Sequence, residues 1–297
     1  MKVLLGISLS KKNYKFLPRF INFLNNLKNI KGYNIVFIFI LEKKNFYFNE
    51  IILRNFSNKN FKLLYVKKNG IPHSRNRFLN YIRFSQSSYA AFLDDDCIIP
   101  RDWLMNMLKF KSFHRCNLVG APQLHKAKDK FYDKLYKLTE PHRKHGKNID
   151  WAATNNVFFE SKILSNNNHY FDEKLKNIGG SDQLFFRKLK KDFKLIYKWN
   201  LKSPVYENIQ IERESVKWFI NRNFRYGFSG SYIDKIIYGN FFGITINILK
   251  FFYLLVIFVL YIFLFINNKY FIEAIFSLSK AWGRLLGLTN YKPTKYI

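Results

Sequence analysis

Cysteine is scarce in this chain of 297 residues, which contains only Cys97 and Cys116. Two cysteines do not provide the disulfide framework that stabilises many secreted domains, so we predict two reduced thiols in a cytosolic domain. A signal peptide is not indicated either, because the apolar start of the chain stops at Leu9 and is followed by Lys11 and Lys12. No internal repeat is evident. We expect one large domain, with some length left over for an appendage.

Acidic residues are also few: 20 Asp and Glu stand against 50 Lys and Arg, for a formal net charge of +30. Such a charge suits nucleic acid, an anionic membrane surface or phosphorylated substrates, and composition alone does not choose among them. Three of these few carboxylates, Asp94, Asp95 and Asp96, are nevertheless consecutive and follow an apolar run.

Adjacent carboxylates repel one another unless a cation lies among them. A hard cation such as Mg²⁺ or Mn²⁺ takes one or two carboxylates and completes its shell with water and substrate phosphate. The acidic cluster therefore predicts a divalent metal ion and a phosphorylated small-molecule substrate. The simpler alternative is that Asp94, Asp95 and Asp96 end a strand and begin a turn, where Asp is common.

Short apolar runs alternate with longer segments of helical spacing through the first two hundred residues; the runs are residues 2–9, 34–41, 61–66 and 89–93. This alternation predicts an α/β fold with a mostly parallel sheet and helices on both of its faces. Ligands of such sheets bind at the carboxyl ends of the strands, where Asp94 to Asp96 fall. The polar stretch 123–148 is expected to be an irregular connection over the site.

The histidines His114, His125, His142 and His145 have no regular ligand spacing with carboxylates or thiols. We interpret them as loop residues and predict no zinc site.

The C-terminal segment contains a long apolar run, unlike the rest of the chain. Residues 251–266 are apolar, and with the preceding turns back to Ile244 they would form a helix of roughly 34 Å, against a hydrocarbon thickness of ~30 Å. A membrane-spanning helix would have to accommodate Asn247 and Lys250. The alternative is a buried core helix.

Polar residues recur at intervals of four, three and four in the next segment, residues 271–288, and form one stripe: Glu273, Ser277, Lys280 and Arg284. This pattern is typical of a helix that lies in the membrane interface. Basic and aromatic residues alternate before the apolar run, as in a segment on anionic headgroups or in an ordinary amphipathic helix. We predict a catalytic domain over 1–212, a basic juxtamembrane segment over 213–240, and membrane and interfacial helices over 241–297, with the catalytic side in the cytoplasm.

A second acidic feature is Asp182, which follows the Gly179-Gly180 turn and lies in the first turn of a predicted helix. It is either a favourable charge at a helix N-terminus or a carboxylate that does not ligate the metal. In the second case it would take a proton from an acceptor hydroxyl while the metal stabilises a departing nucleotide diphosphate.

Five segments occur in an order that is more telling than any one of them: NGIPHSRN (69–76), FLDDDC (92–97) with Trp103-Leu104 beyond it, WAATNNVF (151–158), FDE (171–173) and GGSDQLFFR (179–187). This order resembles that of the family 2 inverting glycosyltransferases of GT-A fold, and the resemblance extends with gaps from Lys2 to about Ser229. The resemblance implies a GT-A fold, a nucleotide-diphosphate sugar as donor and a hydroxyl as acceptor. The membrane-like tail favours an acceptor that is lipid-linked or part of a surface glycan.

The resemblance also implies roles for several residues of these segments. Asp96, with Asp94 as a ligand or a ribose contact, would hold Mg²⁺ or Mn²⁺ on the diphosphate, and Asp95 would face the ribose or donor sugar. Arg75 would add a fixed positive charge near the phosphates. Asp182 would be the general base.

The acceptor side would be lined by Trp151, Asn155 and Asn156, although Trp151 could equally pack in the core. Likewise, Arg75 could be an exposed residue at a helix start. We expect Asp96 and Asp182 to face one cleft.

Four positions depart from the family pattern, the first being Ser74, which replaces the Ala of the usual Ala-Arg-Asn loop. Ser181 replaces the Glu of the usual Glu-Asp pair, which keeps the base and removes its acidic neighbour. Glu207 stands where many members place a metal-supporting His. The second predicted strand ends in Glu42 rather than in the Asp that receives the nucleotide base in relatives, and Glu42 could substitute for it.

Other classes of function remain as alternatives. The basic and aromatic residues are dispersed, which does not favour a binder of single-stranded nucleic acid. A catalytically degenerate membrane scaffold is suggested by Ser181 and Glu207. A nucleotidyltransferase would form pyrophosphate, and the order of Arg75, Asp96 and Asp182 argues against it.

Overall fold

The computed structural model describes residues 1–41, 46–56, 60–165, 168–263 and 268–289. The chain divides into two compact units. The first, here called the sheet unit, comprises Met1–Phe171 and Phe185–Ile209. The second, here called the helical unit, comprises Asp172–Leu184 and Gln210–Ile297.

Strands belong to the sheet unit and form a larger and a smaller sheet. They are β1 (Lys2–Leu9), β2 (Asn34–Leu41), β3 (Phe61–Tyr65), β4 (Tyr89–Asp94), β5 (Cys97–Ile98), β6 (Leu118–Gly120), β7 (Gln123–Lys126), β8 (Asn156–Glu160), β9 (Tyr197–Trp199) and β10 (Val205–Asn208). The larger sheet has the order β3-β2-β1-β4-β8-β6-β9, and the smaller one has the order β5-β10-β7.

Helices precede, follow and connect these strands. They are α1 (Leu17–Asn25), α2 (Phe46–Asn55), α3 (Ile71–Phe84), α4 (Trp103–His114), α5 (Lys130–Thr139), α6 (Ser181–Phe193), α7 (Val216–Tyr238), α8 (Asn240–Phe263) and α9 (Asn268–Leu286). Short 3₁₀ turns lie at Lys11–Phe16, Ser161–Leu164, Glu173–Asn177 and Ile211–Arg213.

The larger sheet is mostly parallel and is buried on both faces. Strand β1 pairs in parallel with β2 and β4, and β8 is antiparallel to β4 and β6. One face packs against a cluster that includes Phe20 of α1 and Trp103 of α4, and the other against Phe78 of α3 and Phe186 of α6. The predicted α/β fold, with helices on both faces, is confirmed. Burial on both faces also explains why these strands are continuous apolar runs.

Gly6 in β1 allows α3 to approach the sheet closely. A Cβ atom at this position would lie 2.2 Å from Cε1 of Phe78, whose ring is fully buried and packs edge-on against Phe92 at 5.1 Å. Since the ring has no free space, Gly6→Ala is expected to destabilise the protein by about 1–3 kcal/mol through overpacking. A lower urea midpoint at an unchanged slope would measure this loss. Phe78→Leu should recover part of it, and an unchanged midpoint for Gly6→Ala would contradict the expected clash.

The polar stretch 123–148 is not the irregular connection that we expected. It contains β7 and α5, and Asp129 caps α5 by accepting a hydrogen bond of 2.7 Å from the Phe131 amide. Likewise, His125 lies in β7 and His114 ends α4, so these two are not loop residues. The sequence did not reveal these elements because β7, with four residues, and α5, with ten residues, are too short to show a clear periodic pattern.

Close packing of glycines joins the helices of the helical unit. A Cβ atom at Gly283 of α9 would lie 2.0 Å from the Phe224 carbonyl oxygen of α7, and one at Gly227 of α7 would lie 2.0 Å from the Lys280 carbonyl oxygen. In α8, a Cβ atom at Gly243 would lie 2.5 Å from Cα of Lys235 in α7. Glycine at these positions therefore lets the helix backbones touch.

Among the described residues, α8 is the helix that is long and apolar enough to cross a membrane. Its buried residues are Gly243 and Asn247, while large apolar side chains such as Phe241 and Phe252 are exposed. Within this chain, α8 is thus not a buried core helix.

The last residue of the polar stripe of α9, Arg284, faces the neighbouring helices, whereas Glu273, Ser277 and Lys280 are half-buried. Arg284 is buried and bonds to Asp234 of α7 and Asn247 of α8. Arg284 thus meets polar partners on the two neighbouring helices, which spacing along one helix does not reveal. The interfacial position of α9 stays a prediction.

Candidate active site

The acidic cluster lies at the carboxyl edge of the larger sheet. Asp94 is the last residue of β4 and is paired with Ser8 of β1. Because β1, β2 and β4 run parallel, their carboxyl ends meet at the same edge. This edge is where sheets of this kind bind their ligands.

Asp95 is the buried member of the cluster. Its Oδ2 accepts a hydrogen bond of 2.7 Å from the Ser10 amide, and its Oδ1 accepts one of 2.7 Å from Nδ2 of Asn13. Burial, together with the charges of Asp96 and Asp94, raises the pKa of Asp95 to about 8. The side chain fastens the segment after β1 to the end of β4. The contact with ribose or donor sugar that we expected of Asp95 stays a prediction, and both of its oxygens are already hydrogen-bonded within the protein.

Asp94 and Asp96 are half-buried and supply carboxylate oxygens at the edge. The Cys97 thiol lies 3.9 Å from Oδ1 of Asp96, and burial and the charge of Asp96 raise the pKa of Cys97 well above its usual value. The carboxylates of Asp94 and Asp96 are hard oxygen donors. Such donors fit Mg²⁺ or Mn²⁺.

Within the described ranges, no group of three or more His, Cys, Asp or Glu residues is arranged to enclose a metal ion. A site with one or two carboxylates does not need such a group, because Mg²⁺ and Mn²⁺ take their remaining ligands from water and substrate phosphate. The residues present fit a metal ion that binds together with a phosphorylated ligand.

Arg75 and Asn76 lie near the start of α3, which follows Gly70 at a φ of 128°. Nδ2 of Asn76 donates to the Phe171 carbonyl at 3.0 Å, and the Phe171 amide donates back to Oδ1 at 2.8 Å. The guanidinium of Arg75 lies over the Phe171 ring at 5.6 Å. Asn76 thus positions Phe171, and the Phe171 ring contacts the guanidinium of Arg75.

The three residues expected on the acceptor side differ in exposure. Trp151 and Asn155 are half-buried, and the amide of Asn155 donates to Oε1 of Gln123. Asn156 is fully buried: it accepts from Nε1 of Trp103 at 2.9 Å and donates to the carbonyl of Pro122 at 2.8 Å. Its side chain connects α4 with the residue that precedes β7 inside the protein. Asn156 therefore does not line an acceptor surface, contrary to our expectation.

A partly buried polar group in the smaller sheet, centred on the buried Glu207, was not evident from the sequence. Glu207 of β10 accepts from Nε2 of Gln123 at 2.7 Å and lies 3.6 Å from Nε2 of His125. His125 also contacts Glu140, and although burial would raise the pKa of Glu140, the hydrogen bonds from His125 lower it. In the sequence, Glu207 in place of the usual His was the only sign of this polar group, because Gln123 and His125 lie far from Glu207 along the polypeptide.

Asp182 belongs to the helical unit, in a segment that is attached to α7. Gly179 and Gly180 have φ values of 90° and 83°, which favour glycine, and α6 begins directly after them. A Cβ atom at Gly180 would lie 3.0 Å from Cδ1 of Ile233 in α7. Asp182 itself is half-buried and accepts from the Gln183 amide at 2.9 Å.

Asp172, ten residues earlier, ties the same segment to α7. Its side chain accepts from the Tyr232 hydroxyl at 2.7 Å and from the Lys174 amide at 2.9 Å. Burial and the neighbouring Asp172 raise the pKa of Tyr232, so the hydroxyl remains a donor. The position of the segment that carries Asp182 is therefore set by α7.

Glu42, which we expected to receive the nucleotide base, lies outside the described residues.

The family model of glycosyl transferase family 2 matches residues 10–191, which run from the end of β1 into α6. The chain belongs to glycosyl transferase family 2. The matched region of this glycosyl transferase contains the acidic cluster, Arg75 and Asp182. No curated protein sequence matches the chain.

Solved structures share the fold of this family 2 glycosyl transferase. S. aureus TarS, residues 1–349, aligns at a TM-score of 0.55 and 15% identity, over 80% of this chain and 69% of TarS. The mannosyltransferase PcManGT from Pyrobaculum calidifontis aligns at a TM-score of 0.62 and 11% identity, over 98% of this chain and 88% of its own. The predicted GT-A fold is confirmed.

Proposed function

We propose that this glycosyl transferase moves a sugar from a nucleotide-diphosphate sugar to a hydroxyl acceptor, with inversion at the anomeric carbon. The observation that carries this proposal is the acidic cluster at the carboxyl end of β4, inside the region matched by the family. The structural relatives support it, since TarS was crystallised in complex with UDP-GlcNAc and the PcManGT structure is a complex with GDP-Man and Mn²⁺.

On the donor side, Asp94 and Asp96 would hold Mg²⁺ or Mn²⁺. When bound, the ion would neutralise charge on the diphosphate and so favour its departure. Arg75 would add a fixed charge near the phosphates, because a guanidinium matches phosphate oxygens in pairs. Glu42 would contact the nucleotide base.

On the acceptor side, Asp182 would accept the proton of the attacking hydroxyl. The oxygen would then bond to the anomeric carbon as the bond to the diphosphate breaks, and a single displacement of this kind inverts the centre. Trp151 and Asn155 would line the acceptor. This role requires Asp96 and Asp182 to reach the same bound molecules, which remains part of the proposal.

The attachment of Asp172 to α7 gives a prediction about catalysis. Tyr232→Phe removes the hydroxyl that bonds Asp172, so the segment with Asp182 should lose its position and kcat should fall about ten- to a hundredfold. The KM for the donor should not change, because donor contacts are assigned to other segments. Steady-state kinetics with separate variation of donor and acceptor would measure the split.

Tyr238→Phe is the matched control, since Tyr238 is an exposed tyrosine on the same helix. It should leave both constants unchanged. If Tyr232→Phe raised KM and lowered the melting temperature without a specific loss of kcat, the hydroxyl would have only a structural role.

The proposed reaction is tested by screening purified protein in detergent against a panel of nucleotide sugars with Mn²⁺, with Mg²⁺ and with EDTA. Release of UDP, GDP or TDP that requires a metal ion is expected for one donor. Absence of turnover with every donor would favour a catalytically degenerate scaffold, and release of pyrophosphate would favour a nucleotidyltransferase.

Membrane association completes the proposal. The exposed apolar side chains of α8 would insert into a membrane, and the basic body of the chain favours the cytoplasmic face. An acceptor that is lipid-linked or part of a surface glycan fits this location. We propose a catalytic domain over 1–212, a basic juxtamembrane segment over 213–240, and membrane and interfacial helices over 241–297. We expect no nucleic-acid partner.

A further inference from the structure

Asn13 contacts two members of the acidic cluster at once. It belongs to the 3₁₀ turn Lys11–Phe16 that follows β1, and it is buried, at 9% exposure. Its Nδ2 donates to Oδ1 of Asp95 at 2.7 Å and to Oδ2 of Asp96 at 3.3 Å. A single side-chain amide therefore bridges the two carboxylates.

The turn after β1 determines where this amide lies. The Asn13 backbone amide donates to the Ser10 carbonyl at 3.0 Å, and the Ser10 hydroxyl caps the turn by accepting from the Lys12 amide at 3.3 Å. The Ser10 amide donates to Oδ2 of Asp95 at 2.7 Å. The turn is thus held against Asp95 at two points, through Ser10 and through Asn13.

The bond from Asn13 to Asp96 is additional to this attachment. A side-chain NH₂ group has two hydrogens, which suits a position between two acceptors. The shorter bond anchors the amide on buried Asp95, so the second hydrogen is directed at Asp96. Hydrogen bonds to ionised carboxylates are stronger than bonds between neutral groups, so this one restrains the rotation of the Asp96 carboxylate.

The same bridge opposes the repulsion between the two acids. Consecutive carboxylates repel one another when no cation lies among them, and the amide hydrogens of Asn13 lie between one oxygen of Asp95 and one of Asp96. Partners that orient a metal-binding side chain in this way typically contribute about 10- to 100-fold to metal affinity.

We propose that Asn13 is a positioning residue for the metal site, which orients the carboxylate of Asp96 before Mg²⁺ or Mn²⁺ binds. This inference rests on the proposed function, in which Asp96 is a metal ligand. Asn13 is assigned no contact with the metal ion or the sugar. Asp95 contributes indirectly, because it anchors the amide of Asn13.

Asn13→Ala removes both donors and is expected to raise the Kd for Mn²⁺ about 10- to 100-fold. Mn²⁺ is titrated into the full-length protein in detergent, and the electron paramagnetic resonance signal of the free ion reports binding. The titration is made with Mn²⁺ alone and with UDP or GDP against a protein-free blank, because phosphate oxygens complete the shell of the ion. Asn13→Gln keeps both N–H groups on a longer side chain and should retain more affinity than Asn13→Ala.

Asn200→Ala is the matched control for a purely structural effect. Asn200 is also a buried asparagine of the sheet unit, and its side-chain amide bonds Ser203 and Asn106, neither of which belongs to the acidic cluster. The control should lower the melting temperature and leave the Kd for Mn²⁺ unchanged. If Asn200→Ala and Asn13→Ala weakened Mn²⁺ binding equally, the loss would follow from lower stability and the positioning role would be overturned.

The wild-type titration separates this inference from the proposed function. If the wild-type chain binds Mn²⁺ and Asn13→Ala binds it equally well, the positioning role is overturned while the metal site stands. If the wild-type chain does not bind Mn²⁺ with or without nucleotide, the assignment of Asp96 as a ligand fails, and the role of Asn13 fails with it. No sugar donor or acceptor is needed for either result.

Discussion

Asp182→Asn is expected to abolish sugar transfer while leaving the affinity for the nucleotide sugar nearly unchanged. The amide cannot accept the proton of the acceptor hydroxyl, and loss of a general base typically costs about 10²- to 10⁴-fold in rate. Donor binding should persist because it is assigned to Asp94, Asp96 and Arg75. Single-turnover transfer and calorimetric titration of the donor in Mn²⁺ would measure the two properties separately.

The substitution should not disturb the fold. Asp182 is half-buried, and the hydrogen bond that its Oδ1 accepts from the Gln183 amide can be accepted equally by the side-chain oxygen of Asn. Asp192→Asn is the matched control, since Asp192 lies on the same helix and pairs with His169 at the surface. The Asp192→Asn variant should transfer sugar at the wild-type rate. Transfer at the wild-type rate by Asp182→Asn would remove Asp182 from the mechanism.

The fold of the sheet unit could be predicted in large part from the sequence. Strands β1 and β2 have the predicted bounds because a strand buried on both faces is one unbroken apolar run between polar ends. The smaller sheet could not be predicted. Its strands are two to four residues long and are partly polar, and each depends on a partner far away in the chain, as Glu207 does on Cys97.

The edge at which the acidic cluster lies was also predictable, because strand direction and order decide where a strand end falls. The direction in which each side chain points could not be predicted. Asp95 turns toward Ser10 and Asn13, and Asn156 toward Trp103 and Pro122, because donors and acceptors on distant segments reach them there.

The polar stripe of α9 shows the same limit. A period of 3.6 residues tells which side chains share a face, but not whether that face meets water, lipid or another helix. Here Arg284 meets Asp234, a residue fifty positions earlier in the chain. Interfacial and inward-facing stripes look alike in a single sequence.

Asp96→Ala is expected to weaken binding of the nucleotide sugar strongly in the presence of Mn²⁺ and not in EDTA. Its carboxylate is one of two half-buried oxygen donors at the end of β4, so its loss leaves Asp94 as the single proposed ligand. Removing a direct ligand should cost at least the 10- to 100-fold that removal of an outer partner typically costs. Calorimetric titration of nucleoside diphosphate at several Mn²⁺ concentrations would measure the coupling between metal and nucleotide.

Asp102→Ala is the matched control, because it removes the same charge from the same unit. Asp102 pairs at the surface with Lys28, and a pair of this kind contributes little to stability. The control should bind metal and nucleotide as the wild-type chain does. The contrast with Asp182→Asn is the decisive comparison: one variant should lose the metal-dependent affinity and the other should lose the rate. If both variants lost both properties equally, the two carboxylates would not have separate roles, and the assignment of metal ligand and base would fail.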